Sequence, residues 1–277
     1  MKLQGIFVAA TTPFDHNGEI YKIKVQHNVE KWNRTTLAGY VIASATGEGA
    51  LLAHEEKLVL WELAAKHADP EKILIAATGA EGVHETVTLT KHAAELGYKA
   101  ALVEAPRLYN RPENLLSYYR AVADRAVVPV IVAGTDAEIA ATLSLHPNIM
   151  AAVVDDAGAA LRSAQEGFQA VAGAAGRLRS SLNAGASSAI LAFANAAPYA
   201  AIAVWEAYRT REEDAGRDWQ ARIAGPAAFV EGAYSIPALK HVMDVNGYYG
   251  GPPRLPLTVP TPESRRQAEE AFQDLRG

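Results

Sequence analysis

The sequence predicts a (β/α)₈ barrel followed by a small helical extension. Eight short apolar runs recur along the chain, amphipathic stretches separate them, and 277 residues suit a barrel of about 250 residues with an appendage. The runs are near-continuously apolar rather than alternating. That pattern fits strands buried on both faces, as in a parallel sheet covered by helices. A doubly wound open sheet is the rival, but eight units and the lack of a glycine-rich dinucleotide fingerprint favour closure.

Strands are expected over 5–10, 39–43, 73–77, 100–104, 129–133, 149–154, 169–172 and 188–193. Between them, residues 54–67 place Leu58, Leu60, Trp61 and Leu63 among charges, and 85–96 and 115–126 have the same amphipathic character. Beyond Asn195 the pattern turns wholly helical, over 199–208, 213–228, 237–245 and 261–275, with Pro262 near the start of the last. Residues 247–253 form a turn-rich connection before Thr261. The expected division is a barrel over 1–210 and a helical extension over 211–277.

Composition narrows the function classes. Hydrophobic residues make up 49%, enough for a large core. The 26 basic and 31 acidic residues give a net charge of −5 without long runs, which argues against a nucleic-acid surface. With no cysteine, disulfides, thiolate nucleophiles and zinc–thiolate sites are excluded together. The most apolar stretch, 184–204, is interrupted by Ser187, Ser188, Asn195 and Pro198, short of the roughly 20 apolar residues a bilayer span needs. A soluble, cytoplasmic protein with no membrane partner and no cofactor is the expectation.

In a barrel of this kind chemistry sits where strands end and the following loops begin. The second strand ends in Ser44-Ala45-Thr46-Gly47-Glu48, followed by Leu51-Leu52 and His54-Glu55-Glu56-Lys57. Thr12-Pro13-Phe14 follows the first strand, and Pro106-Arg107-Leu108-Tyr109-Asn110-Arg111-Pro112 the fourth. His146-Pro147-Asn148-Ile149 opens the sixth, and Ala194-Asn195-Ala196-Ala197-Pro198 follows the eighth. In this order the motifs resemble the dihydrodipicolinate synthase and N-acetylneuraminate lyase family, over nearly the whole chain. The C-terminal part, with residues 168–176, Ile236-Pro237-Ala238-Leu239-Lys240 and the Gly247-Tyr248-Tyr249-Gly250-Gly251-Pro252 turn, is similar to the 4-hydroxy-2-oxoglutarate aldolase branch.

The resemblance implies a TIM-barrel lyase whose lysine, on the sixth strand, forms an imine with pyruvate or another 2-oxo acid. It also implies a proton-relaying tyrosine on the fifth strand, a threonine on the second, and a second tyrosine after the fourth that reaches towards a neighbouring subunit. Carried over singly, these positions give an uneven result. The lysine becomes Val153, or Val154 if the register slips by one. The fifth-strand tyrosine becomes Ala133 and the first threonine of the pair Ala45, while Thr46 and Tyr109 are retained. Valine offers no amine and alanine no proton. The loop after the fifth strand is also cut short at Gly134-Thr135-Asp136-Ala137, and no arginine lies between Ala133 and Asn148.

Other side chains offer partial substitutes. Lys99 and Lys240 offer amines, but neither sits at a strand's catalytic end. Glu48, Glu104, Asp155 and Asp156 fall at or past strand ends and could converge on a metal, with Asp155 inward if its strand persists that far. No metal is expected, since the eight histidines form no ligand-spaced pair. Gly173-Ala174-Ala175-Gly176 lies where barrels often bind phosphate, though a tight turn explains it as well. Tyr248 and Tyr249 are expected to pack the extension.

The reading is a non-aldolase, small-molecule-binding pseudoenzyme, a homodimer or homotetramer that takes a small anionic oxo acid or sugar acid near Thr46, Gly47 and Tyr109. The alternatives are a lyase or hydratase acting on a 2-oxo acid without an imine, with or without a metal, and a residual 4-hydroxy-2-oxoglutarate aldolase-like enzyme.

Overall fold

A computed structural model describes residues 1–109, 111–231 and 235–275. Eight parallel strands close into a barrel in sequence order. They are β1 (Gly5–Ala9), β2 (Gly39–Ile42), β3 (Ile73–Ala77), β4 (Ala100–Glu104), β5 (Val130–Ala133), β6 (Ile149–Val154), β7 (Gln169–Ala172) and β8 (Ser188–Leu191). The ring is completed by β1 against β8, with Phe7 opposite Ile190.

Alternation along each strand divides the apolar residues into two cores. Phe7, Val41, Ile75, Leu102, Ile131, Val171 and Ile190 fill the barrel interior. Their neighbours Ile6, Val8, Ile42, Val103, Val132 and Val154 face the surrounding helices. Both faces are therefore buried, which explains why the strands read as continuous apolar runs. Each such side chain contributes about 1.5–3 kcal/mol by leaving water.

The covering helices are α1 (Lys22–Asn33), α2 (His54–His67), α3 (Val83–Glu95), α4 (Pro112–Ala123), α5 (Ala137–Leu143), α6 (Ala157–Arg162), α7 (Leu178–Asn183) and α8 (Pro198–Thr210). Pro112 and Pro198 open α4 and α8 at positions where no amide hydrogen is missed. Asp136 caps α5 by accepting the Ile139 N–H at 2.8 Å. The extension comprises α9 (Glu213–Glu231), α10 (Ser235–Val245) and α11 (Pro262–Ala271).

The extension is fastened to the barrel by polar as well as apolar contacts. Asn195 ties β1 to the β8 turn, donating to the Ala9 carbonyl at 2.7 Å and accepting from the Thr11 N–H at 2.9 Å. Tyr248 stacks on Trp32 at 6.0 Å, and Tyr249 bonds through its backbone to Asn28 and through its hydroxyl to the Phe14 carbonyl. The two tyrosines thus pack the extension, as expected. Gly250 permits this docking, since a Cβ there would lie 1.9 Å from the Lys240 carbonyl oxygen. Among the described residues no helix is long and apolar enough to cross a membrane.

Candidate functional site

The strand register shows which of Val153 and Val154 faces the barrel interior. Glu104 pairs with Ala133, and Ala133 with Val153. Val153 and Ala133 pack against the interior core, whereas Val154 belongs to the outer one. The inward residues at the catalytic ends of β4, β5 and β6 are thus a carboxylate, a methyl and an isopropyl group side by side. The sixth-strand position has no amine. Gly173, just past the end of β7, leaves the room Val153 uses, because a Cβ there would stand 2.9 Å from Val153 Cγ1.

The β2 turn is backbone-strained and tightly held. Ala43 (φ 66°) and Glu48 (φ 58°) both adopt left-handed backbone, which is uncommon outside glycine and concentrates at functional turns. Between them Ala45–Gly47 makes one 3₁₀ turn. Thr12 Oγ1 donates to the Gly47 carbonyl at 2.5 Å, and a Cβ on Gly49 would sit 2.0 Å from the Ala43 oxygen. Glu104 Oε1 accepts the Ala45 N–H at 2.9 Å. One backbone donor of this turn therefore already holds a carboxylate of the chain itself.

Glu48, Glu104, Asp155 and Asp156, which could have converged on a metal, do not do so. Glu48 buries its carboxylate against Lys240, 2.5 Å away, and does not line the mouth cavity. Asp155 lies beyond the end of β6, exposed, and pairs with Arg177 at 2.7 Å, so it does not point inward. Asp156 caps α6 by accepting the Ala159 N–H at 2.8 Å. Of the four, only Glu104 faces the mouth. Among the described residues no three His, Asp or Glu side chains gather as a metal set.

A cavity of about 530 Å³ opens at the mouth between the ends of β2 and β5. Its lining includes Ala45, Lys57, Glu81, Glu85, Glu104, Arg107 and Ala133. Thr46 and Gly47 stand in sequence between the lining residues Ala45 and Gly49, half-buried and buried respectively. Tyr109 lies two residues beyond Arg107 and is 64% exposed; its neighbour Asn110 lies outside the described residues. The retained family positions thus border this cavity in sequence without lining it. A larger cavity, about 730 Å³, lies at the opposite end of the barrel among Gln4, Thr36, Trp205 and Arg209. Barrel chemistry is confined to the C-terminal strand ends, so the mouth is the candidate site.

Two residues at this end escaped the sequence reading. Lys57, in the first turn of α2, lines the mouth cavity. Burial draws its ammonium below the ordinary lysine range, and Glu85 and Glu104 partly offset this. A signal was available: Lys57, Trp61 and Ala64 follow i, i+4, i+7 spacing, and the latter two are wholly buried, so the lysine continues a buried stripe. Glu231, at the end of α9, accepts the Ala175 N–H at 2.9 Å from the Gly173–Gly176 turn. Burial pushes its carboxyl up to about 7, against amide donors of Ala175, Phe193 and Gly176. No local pattern announces it, since the contact spans 56 residues. Lys240 is buried in the extension and Lys99 precedes β4, so neither reaches the mouth.

The match to known proteins accords with this architecture. The dihydrodipicolinate synthetase family model matches residues 2–275, and the chain belongs to that family. It is 29% identical to the 4-hydroxy-tetrahydrodipicolinate synthase of Methanothrix thermoacetophila, over 99% of this chain and 98% of that protein. Its fold superposes with a TM-score of 0.93 on the chloride-inhibited dihydrodipicolinate synthase of Acinetobacter baumannii complexed with pyruvate, at 24% identity, covering 98% of each chain. The N-acetylneuraminate lyase of Proteus mirabilis gives a TM-score of 0.88 at 22% identity, covering 99% of each.

Proposed function

We propose that this chain is a small-molecule-binding member of its family that does not perform aldol chemistry from β6, and that its ligand is a small anionic oxo acid or sugar acid taken into the barrel mouth. One observation carries the reading. Where imine chemistry at β6 needs an amine with a proton relay beside it, Val153 and Ala133 stand in register, yet a cavity lined by Ala133 remains open. A valine cannot add to a carbonyl, and an alanine cannot move a proton. The pyruvate bound to the Acinetobacter protein supports the ligand class.

The small side chains at Ala45 and Ala133 widen the mouth, so a ligand larger than pyruvate is admitted. The similarity of the C-terminal part to 4-hydroxy-2-oxoglutarate aldolases makes that compound a first candidate. A second reading is favoured by Glu104 and Lys57 lining one cavity: a lyase or hydratase that removes and returns protons without an imine. In either reading the protein assembles as a homo-oligomer through the loop of Leu108 and Tyr109.

Calorimetry with pyruvate, 4-hydroxy-2-oxoglutarate and sugar acids tests the first reading, with NMR on the same mixtures to detect turnover. Binding without conversion is expected, weakened by Thr46→Ala and Tyr109→Phe. Turnover would favour the second reading, and no binding by any of them would leave only an inherited fold.

A further inference from the structure

One wall of the mouth cavity is a strained turn held from behind. Ala43, Ala45, Gly49 and Ala50 line the cavity, and Ala43 and Glu48 both carry left-handed backbone. Residues other than glycine stay in that conformation only where their surroundings over-determine it. Here the surroundings are supplied by the helical extension. Lys240 Nζ, on α10, meets Glu48 Oε1 at 2.5 Å and donates to the carbonyls of Thr12 and Pro252 at 2.8 and 3.1 Å. Thr12 passes the restraint on through its Oγ1, which donates to the Gly47 carbonyl at 2.5 Å. Gly47 is pressed so closely on the chain after β1 that a Cβ there would stand 2.7 Å from the Ala10 oxygen. Arg254 holds the far end, its N–H donating to Glu48 Oε2 at 2.7 Å and its guanidinium to the Leu51 carbonyl at 2.8 Å. Both cations stand over the Phe14 ring, 4.6 and 4.2 Å from its centroid.

A buried ion pair adds little net stability over a well-packed apolar pair, and its best-attested use is to select one arrangement. The arrangement selected here is that of the cavity wall. We propose that Lys240 is a positioning residue for the barrel mouth: through Glu48 and Thr12 it fixes the turn over 43–50, and so sets the affinity for the ligand without touching it. The inference rests on the reading of the mouth as an oxo-acid site, and it gives the extension a part in binding. A wall already in place binds a small anion without having to be ordered first. With Lys240 removed, Glu48 loses the cation that keeps it buried and Thr12 loses a restraint on its backbone. The turn then has other conformations open to it, and binding must draw it back from them.

The test compares two ways of loosening the extension in the full-length protein, by calorimetric titration with pyruvate and by urea unfolding. Lys240→Met cuts the restraint on the turn. Asn28→Ala cuts a different fastening, the two 2.8 Å bonds between Asn28 and the Tyr249 backbone, and leaves the turn alone. Both should lower the urea midpoint, but only Lys240→Met should weaken pyruvate, by about tenfold, with Asn28→Ala within about twofold of wild type. Adding Glu48→Gln to Lys240→Met should recover stability and leave affinity low. Glu48→Gln alone keeps the size of the side chain and removes its charge, so it carries the same test, with a smaller loss, should Lys240→Met not fold. Equal losses in Lys240→Met and Asn28→Ala, or affinity that returns together with stability, would reduce Lys240 to a fastener and overturn the proposal. Wild-type affinity in the Lys240 variant would overturn it while sparing the binding function. Hydrogen exchange over 43–52 without ligand gives the second readout, faster in Lys240→Met and unchanged in Asn28→Ala. If wild type does not bind pyruvate, the oxo-acid reading fails for that ligand, and exchange alone then upholds or overturns the hold of Lys240 on the turn.

Discussion

Lys240 Nζ lies 2.5 Å from Glu48 Oε1, and the two side chains are 1% and 0% exposed. The pair joins α10 of the extension to the strained turn after β2. Lys240 also donates to the carbonyls of Thr12 and Pro252, at 2.8 and 3.1 Å, and Glu48 Oε2 accepts the Arg254 N–H at 2.7 Å. Arg254 in turn forks onto Glu56 at the start of α2. Removing one partner leaves a buried charge uncompensated, which costs about 3–5 kcal/mol. Lys240→Met should therefore lower the urea midpoint sharply, and Lys240→Met with Glu48→Gln should recover part of the loss. A single variant with the wild-type midpoint would show that the pair does not fasten the extension.

Glu231 sets a pH dependence of stability. Burial raises its carboxyl from 4.5 to about 7, so between those values the folded chain binds a proton that the unfolded chain releases. Its favourable contribution is full below about pH 4.5 and is lost as pH rises to about 7, a change on the order of 3 kcal/mol. Glu231→Gln cannot ionise and should flatten this part of the profile. The difference in unfolding free energy between wild type and variant, measured at pH 5 and pH 7.5, checks it. An unchanged difference would place the Glu231 carboxyl in the ordinary range.

Much of this was legible in the sequence because burial on two faces writes continuous apolar runs. The expected strands at 73–77, 100–104, 149–154 and 169–172 coincide with β3, β4, β6 and β7. Three ends are placed too far, at Ala10, Ala43 and Phe193; the last two fall where Ala43 turns left-handed and where Phe193 begins a 3₁₀ turn. Val153 and Ala133, singled out by resemblance, stand side by side in the register. The destination of each acid was not legible. Glu48 and Asp155 occupy similar places past strand ends, yet one is drawn inward by Lys240, 192 residues on, and the other outward by Arg177. Partners so distant in sequence leave no periodic trace.

Leu108 and Tyr109 stand exposed together at 74% and 64%, an adjacent leucine and tyrosine of the kind that interfaces cover. Light scattering at micromolar concentration should show a dimer or tetramer. Leu108→Asp should shift it towards monomer, since a charge at an interface core is costly to desolvate. A wild-type monomer would rule out the assembly, and an unchanged oligomer in the variant would place the contact elsewhere.

The β6 position offers a test by restoration. Val153→Lys would place an amine beside Ala133, in the register that now holds an isopropyl group, and the small neighbour Gly173 leaves the new chain room to extend into the mouth. The amine alone should form an imine with pyruvate yet cleave 4-hydroxy-2-oxoglutarate poorly, because no side chain at residue 133 or 45 can relay a proton. Proton transfer by a positioned group is worth about 10²–10⁴-fold. Adding Ala133→Tyr and Ala45→Thr should therefore raise cleavage above the single variant, by less than that full range, because Glu104 still occupies the Ala45 N–H. Coupled-assay rates for the single and triple variants separate the contributions. A triple variant no faster than the single one would mean that Glu104, rather than the side chains at residues 133 and 45, decides what this mouth can do.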